Sequence, residues 1–317
     1  MSPLLLVIVT FGLTFTVLAS LAQGFATTLP SVKQGLRAHR QLDVMLLISN
    51  FIAMPALLIG LASVIHFNPQ VKMAIIVLAI TAGAPFIPWL VAKGSGDVGY
   101  SAIVSFSLLV VTLVVVPFAL PALLRLLNTG ASPSVWTVAW PLLLFVLLPL
   151  VVGMICRARY PQFVAEVGSW LGPISVTFLV VHISLYIGYS WSEFLSLAGR
   201  GQVAFTLVFP LAGLLIGYLL SPPYVLSPIP AAHPQRATKI VSAVAVAQQN
   251  TGVVICCAIV PLGKYLVAGD YILLAAMVTI IVVLISMLEV GKRAGARVAV
   301  PATAPAVQPQ AAAASPT

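Results

Sequence analysis

Val246-Ala247-Gln248-Gln249-Asn250-Thr251-Gly252 sets four polar side chains and a glycine in the middle of an otherwise apolar run. A second apolar run is interrupted by Gly83-Ala84-Pro85-Phe86-Ile87-Pro88, where each of two prolines removes a backbone hydrogen bond. The apolar runs of the chain approach ~20 residues, the length that crosses ~30 Å of hydrocarbon at ~1.5 Å per residue. Hydrophobic residues make up 61% of the 317 positions and charged residues 7%, against roughly a quarter charged in ordinary globular domains. So little charge cannot cover a soluble surface, and the apolar excess must face lipid. Long runs, rather than alternating strands of about ten residues, carry the signal, which argues against a β-barrel. The sequence therefore predicts an all-α membrane protein.

Spans are expected near 4–22, 43–65, 71–92, 99–125, 136–156, 168–190, 202–220, 238–261 and 269–289, about nine in all. The N-terminal run lacks a basic n-region and exceeds the usual ~7–15 apolar residues of a signal, so it reads as the first span. Loops are short, which makes residues 1–291 one transmembrane domain. Residues 292–317, increasingly rich in Ala, Pro and Gln, read as a disordered cytoplasmic tail. Lys33, Arg37, Arg40, Lys93, Arg157, Arg159, Arg236, Lys239, Lys292, Arg293 and Arg297 fall on one side, and Lys72, Arg125, Arg200 and Lys264 on the other. The richer side should be cytoplasmic. That puts the N-terminus outside and the C-terminus inside a plasma (inner) membrane, and requires an odd number of spans.

The net charge of +9 sits in loops and helix ends, with no basic stripe interleaved with aromatics, so nucleic acid is not an expected partner. Cys156, Cys256 and Cys257 all fall in apolar stretches and do not make a disulfide framework. No phosphate-cradling glycine pattern, HExxH or GxSxG appears, and no nucleophile–base set can be assembled from the spans. The chain does not read as an enzyme. Trp89, Trp136, Trp140, Trp170, Tyr189, Trp191, Tyr224 and Tyr265 lie mostly near span ends, as an interfacial belt should.

The two interruptions lie five spans apart, so their helices cross in opposite directions. Irregular backbone at that depth survives only where protein or a water-filled cavity satisfies it, and paired interruptions in inverted halves point to a binding site at mid-membrane. Gln249 and Asn250 are the strongest candidates, because two adjacent amides cannot both hide in one packing seam. Asn50, near the middle of its span, reads equally as an interhelical hydrogen bond or as a site ligand. Ser101 and Ser105 share a helical face at i and i+4 and fit packing at least as well as binding. His182 is the basic side chain deep in a span; a neutral, hydrogen-bonded histidine is the simpler reading and a proton relay the other. The six acids, Asp43, Asp97, Glu166, Glu193, Asp270 and Glu289, fall in loops or at helix ends, so no buried carboxylate is expected to relay protons.

Four patches carry a resemblance. Phe11-Gly12-Leu13 followed by the basic amphipathic stretch Leu29 to Leu42, Asn50-Phe51-Ile52-Ala53-Met54-Pro55, Ala92-Lys93-Gly94 with Asp97-Val98, Ser101 and Pro117, and Val246 to Gly252 are similar to motifs of the bile acid:sodium symporter superfamily. The similarity runs over most of residues 5–290. It implies inverted repeats, a panel domain and a core domain, and two broken helices crossing at mid-membrane. Solute and sodium would bind at the crossing. Carried over residue by residue, Asn50, Pro85, Gln249, Asn250 and Thr251 would contact solute. One Na⁺ site would use Asn50, Gln249 and the carbonyls of Val246 and Gln248, and a second would use Ser101 and Ser105.

Some positions depart from the family pattern. The glutamate shared by both sodium sites is matched by Ala245, and a Gly-Gly-Thr-Ala-Ser-Asn run is replaced by the shorter region at Phe86-Ile87-Pro88-Trp89. A hard cation prefers anionic oxygens, so these losses weigh against sodium coupling. The expected function is secondary transport of a small organic anion by alternating access, with the lipid bilayer as the other partner. The alternative is a transport-incompetent scaffold or sensor that keeps the fold.

Overall fold

The computed structural model describes residues 3–65, 67–192, 195–196, 202–221, 234–263 and 266–298. Tyr224, Tyr265, Arg200, Lys264 and residues 299–317, on which some of the expectations above rest, lie outside the described residues.

Every regular element among the described residues is helical. The first crossing is α1 (Pro3–Ala26). A short basic helix, α2 (Leu29–Ala38), follows it, started by a capping box in which Thr28 and Ser31 satisfy each other's backbone N–H groups. The second crossing joins α3 (Arg40–Ile48) to α4 (Met54–Val64) through a π-helical turn, Ser49–Ala53. Pro55 follows that turn directly, and the wider turn accommodates a ring that cannot donate to the helix ladder. The third crossing is broken: α5 (Pro69–Ile80) stops, residues 81–86 are not helical, and α6 (Ile87–Lys93) resumes with Pro88 in its first turn. There the missing N–H costs nothing.

Next come α7 (Val98–Leu126), then α8 (Val135–Leu142) and α9 (Leu148–Arg159) joined by a second π-helical turn, then α10 (Pro161–Tyr189). The seventh crossing is α11 (Gln202–Leu220). The eighth is broken into α12 (Pro234–Ala247) and α13 (Thr251–Ile259), and the last is α14 (Leu266–Val298). Seven described segments are long and apolar enough to span a membrane, and Pro69–Ile80 and Ala204–Leu220 are shorter apolar helices. Both expected breaks are present. The tail boundary expected at Lys292 is not, because α14 stays helical through Val298.

The helices sort into two groups. α1 packs along α9 and α10 and, across the groups, against α13. A second group, α3 to α7 with α11 to α14, packs together, with α5, α6, α7, α12 and α14 at the centre and α2 and α8 against α7. Small residues set the closest approaches. A Cβ on Gly24 of α1 would run into the Leu150 carbonyl of α9, and one on Gly153 would lie 2.5 Å from the Leu21 carbonyl. A Cβ on Gly213 of α11 would lie 2.5 Å from the Ala247 Cα, while one on Gly217 would meet the Ser242 carbonyl. Van der Waals contact between backbones replaces the hydrophobic effect as the driving force between helices in lipid. Exposed Trp89, Trp136 and Trp191 lie near helix ends, where amphipathic rings belong, whereas exposed Trp170 lies nine residues inside α10.

Candidate functional site

The two breaks meet. Asn250 occupies the N-cap of α13 with extended backbone, and its Oδ1 accepts the Val253 N–H at 3.0 Å. Its Nδ2 donates to the Gly83 carbonyl of the first break at 2.8 Å. One amide therefore caps the second half-helix and ties it to the opposite interruption.

The first break is held from α7. Gly83 has φ +80°, a left-handed conformation that glycine adopts without strain, and a Cβ there would collide with the backbone of Leu109. On either side, Thr112 accepts the Ala82 N–H at 3.0 Å and donates to the Ala82 carbonyl at 3.2 Å. Ser105 donates to the Ala84 carbonyl at 2.7 Å. These side chains replace the intrahelical partners that the interruption removes, as buried backbone groups require. Pro85 follows, half-buried, and Phe86 stacks on Phe15 of α1 with ring centroids 5.9 Å apart.

Gln248, Gln249, Asn250 and Thr251 are all buried. The Oε1 of Gln248 and the Nε2 of Gln249 make no hydrogen bond among the described residues. Buried amide atoms left unmatched cost ~1–3 kcal/mol each. Asn250, Gln248, Gln249, Thr251, Pro85 and Ser105 therefore lie at or beside the crossing. Ser101 is fully buried, and its hydroxyl donates to its own Val98 carbonyl at 2.7 Å. Asn50 lies in the π-helical turn and donates to the Leu46 carbonyl of its own helix at 2.9 Å, which is neither the interhelical bond nor a bond to the crossing. A Cβ on Gly213 would lie 2.9 Å from the Val246 carbonyl, so α11 covers that oxygen closely, and Ala245 is fully buried.

Two contributors escape the sequence reading. Thr112 is one. Gln23 is the other: its Nε2 donates to the Ser105 hydroxyl at 2.8 Å across 82 residues. The first span is expected to end at 22, whereas α1 continues to Ala26 and carries Gln23 inside the protein. The signal was Thr16, Ser20, Gln23 and Thr27, polar residues at helical spacing and all buried.

A cavity of about 340 Å³ opens beyond the crossing, toward the far end of α13, between Val9, His182, Tyr186, Ile255, Ile259 and Leu273. His182 is buried, and its Nδ1 lies 2.8 Å from the Ile8 carbonyl, which can only accept, so Nδ1 carries the proton. Gly12 makes this approach possible, since a Cβ there would lie 2.7 Å from the imidazole Cε1. The expectation that no carboxylate is buried fails at Asp270. In the first turns of α14 it is fully buried and faces Tyr186 of α10. Neighbouring helices cover what reads in sequence as an open helix end.

The fold defines a class, the polytopic helical membrane proteins, here with two broken helices that meet. The chain belongs to the sodium bile acid symporter family, whose model matches residues 5–197. That match contains the first break and α7. No curated protein matches the chain.

Proposed function

We propose that this protein carries a small organic anion across the plasma (inner) membrane by alternating access, with the solute held where the two breaks meet. The observation that carries this reading is the hydrogen bond from Asn250 to the Gly83 carbonyl, which makes one polar locus of two interruptions. Gln249, Asn250, Thr251 and Pro85 would contact the solute. The Nδ2 of Asn50 donates to the Leu46 carbonyl, so a solute would meet its Oδ1. An anion is favoured because the N-terminus of α13 opens on this locus with its positive dipole end. None of the side chains identified there is acidic.

The family pattern implies Na⁺, and the residues present fit it poorly. Ala245 offers no carboxylate, and Ser105 already donates to Ala84 and accepts from Gln23. Ser101 and Asn50 bond within their own helices. With no carboxylate among them, neutral oxygens are a weak exchange for the hydration shell of a hard cation, and we propose transport that depends little on sodium. The charge split favours an N-terminus outside and a C-terminus in the cytoplasm.

Uptake into proteoliposomes across a panel of carboxylates and sulfonates tests the function. Accumulation of at least one solute, lost in Asn250→Ala, is expected. No movement or binding of any solute would favour the scaffold reading. Replacing Na⁺ by choline should leave the rate largely unchanged, and a collapse would restore sodium coupling.

A further inference from the structure

We propose that Gln23 is a solute-contacting residue, and that the solute carries a hydrogen-bond donor, such as a hydroxyl or amide N–H, in addition to its anionic group. This rests on the transport reading above and narrows the class of solute.

Three observations converge on Gln23. It is buried deep in the protein, where a glutamine is rarely found without a full set of partners. Its Nε2 is committed to Ser105, which in turn donates to Ala84. Its Oε1 is buried and makes no hydrogen bond among the described residues. The donor half of the amide thus fixes its position beside the first break, and the acceptor half is left over.

Two turns earlier, α1 also meets the second break. Thr16 lies on the same helical face, and its Cγ2 would be 3.1 Å from a Cβ on Gly252 at the start of the second half-helix. Phe15, the neighbouring residue, stacks on Phe86 just after the first break. α1 therefore passes over both interruptions and forms a third wall of the locus.

The unmatched atoms have a definite chemistry. Gln23 and Gln248 each present a buried amide oxygen, and Gln249 a buried amide N–H. A bare carboxylate or sulfonate offers acceptors alone. It satisfies the Gln249 donor and leaves the two acceptors unmatched. An anion that also bears a hydroxyl or amide N–H satisfies both kinds. Sites built to hydrogen-bond a hydroxyl discriminate strongly against the analogue that lacks it.

The test is a thermal-shift titration of the purified full-length protein with matched pairs that differ by one hydroxyl: glycolate against acetate, lactate against propionate, and malate against succinate. In the wild type, the hydroxylated member of at least one pair should bind about tenfold more tightly than its partner. In Gln23→Met, which keeps the length and loses the amide, that preference should fall to about onefold while the weaker partner's affinity is retained. Equal affinities within every pair in the wild type would overturn the inference and leave anion transport standing, and this comparison needs no variant to fold. A preference that persists in Gln23→Met would likewise overturn the role of Gln23. Absence of any shift with every anion would overturn the transport reading itself and this inference with it.

Discussion

The side-chain amide of Asn250 and the carbonyl of Gly83, 167 residues apart in sequence, share a hydrogen bond of 2.8 Å. Both residues sit in interruptions of their helices, so the bond joins two places where the regular backbone has given way. The same amide caps α13 through its oxygen. Asn250→Ala removes both functions and should cost about 2 kcal/mol, combining ~1 for the cap with ~1 for the buried bond. Asn250→Asp keeps the cap but sets a carboxylate against the Gly83 carbonyl, and should be the more destabilised of the two. Melting curves in detergent rank them, and the reverse order would mean that the bond to Gly83 is dispensable.

Two glycines share a positive φ of 80° and differ in what surrounds them. A methyl group on Gly130 meets open space, whereas on Gly83 it meets the backbone of Leu109. Gly130→Ala should lose about 1 kcal/mol from backbone strain alone. Gly83→Ala should lose about 3 kcal/mol or more, since steric overlap adds to strain. Equal losses would show that α7 can move away from the break.

Ser101 and Ser105 are one helical turn apart and make different bonds. Ser105→Ala deprives the Ala84 carbonyl and the Gln23 amide of partners at once, and a loss of about 2 kcal/mol is expected. Ser101→Ala removes a bond to the residue's own helix, and the change should stay within about 0.5 kcal/mol. Chemical or thermal denaturation of the pair decides whether the network through Ser105 carries stability.

Gly213→Leu and Gly217→Leu should abolish folding or shift the melting temperature strongly, because α11 approaches the backbone of α12 at both positions. Gly172→Leu and Gly188→Leu, where a Cβ meets nothing within 4 Å, should be tolerated. Expression as a monodisperse peak on size exclusion is a sufficient readout.

Much of this architecture was legible in the sequence, because a lipid environment forces long apolar helices and makes every interruption conspicuous. Gln248 to Gly252 and Gly83 to Pro88 stood out for that reason, and both mark real breaks. What the sequence concealed was the supporting cast. Thr112 and Ser105 are ordinary small polar residues on a long helix, and only the fold shows that they serve the backbone of Ala82 and Ala84 rather than their own. Gln23 fell just past an expected span end, since a hydropathy window closes at a polar residue whether or not the helix does. Asp270 was misjudged for a related reason: burial at a helix end depends on neighbours remote in sequence, here Tyr186. Asn50 donates through Nδ2 to the Leu46 carbonyl of its own helix, a bond the sequence does not distinguish from an interhelical one.

The bonds that α7 makes to Ala82 and Ala84 leave the first interruption with little freedom to adapt. Thr112 grips one residue through both its N–H and its carbonyl, and Ser105 holds the next but one. A displacement of that interruption would break these bonds or draw the 105–112 segment of α7 along. Gln248 Oε1 and Gln249 Nε2 have no such tether, so adjustment to solutes of different shape would fall on that side. Variation among related carriers that alters what is accepted should then concentrate at positions 248 and 249, with 105 and 112 held constant.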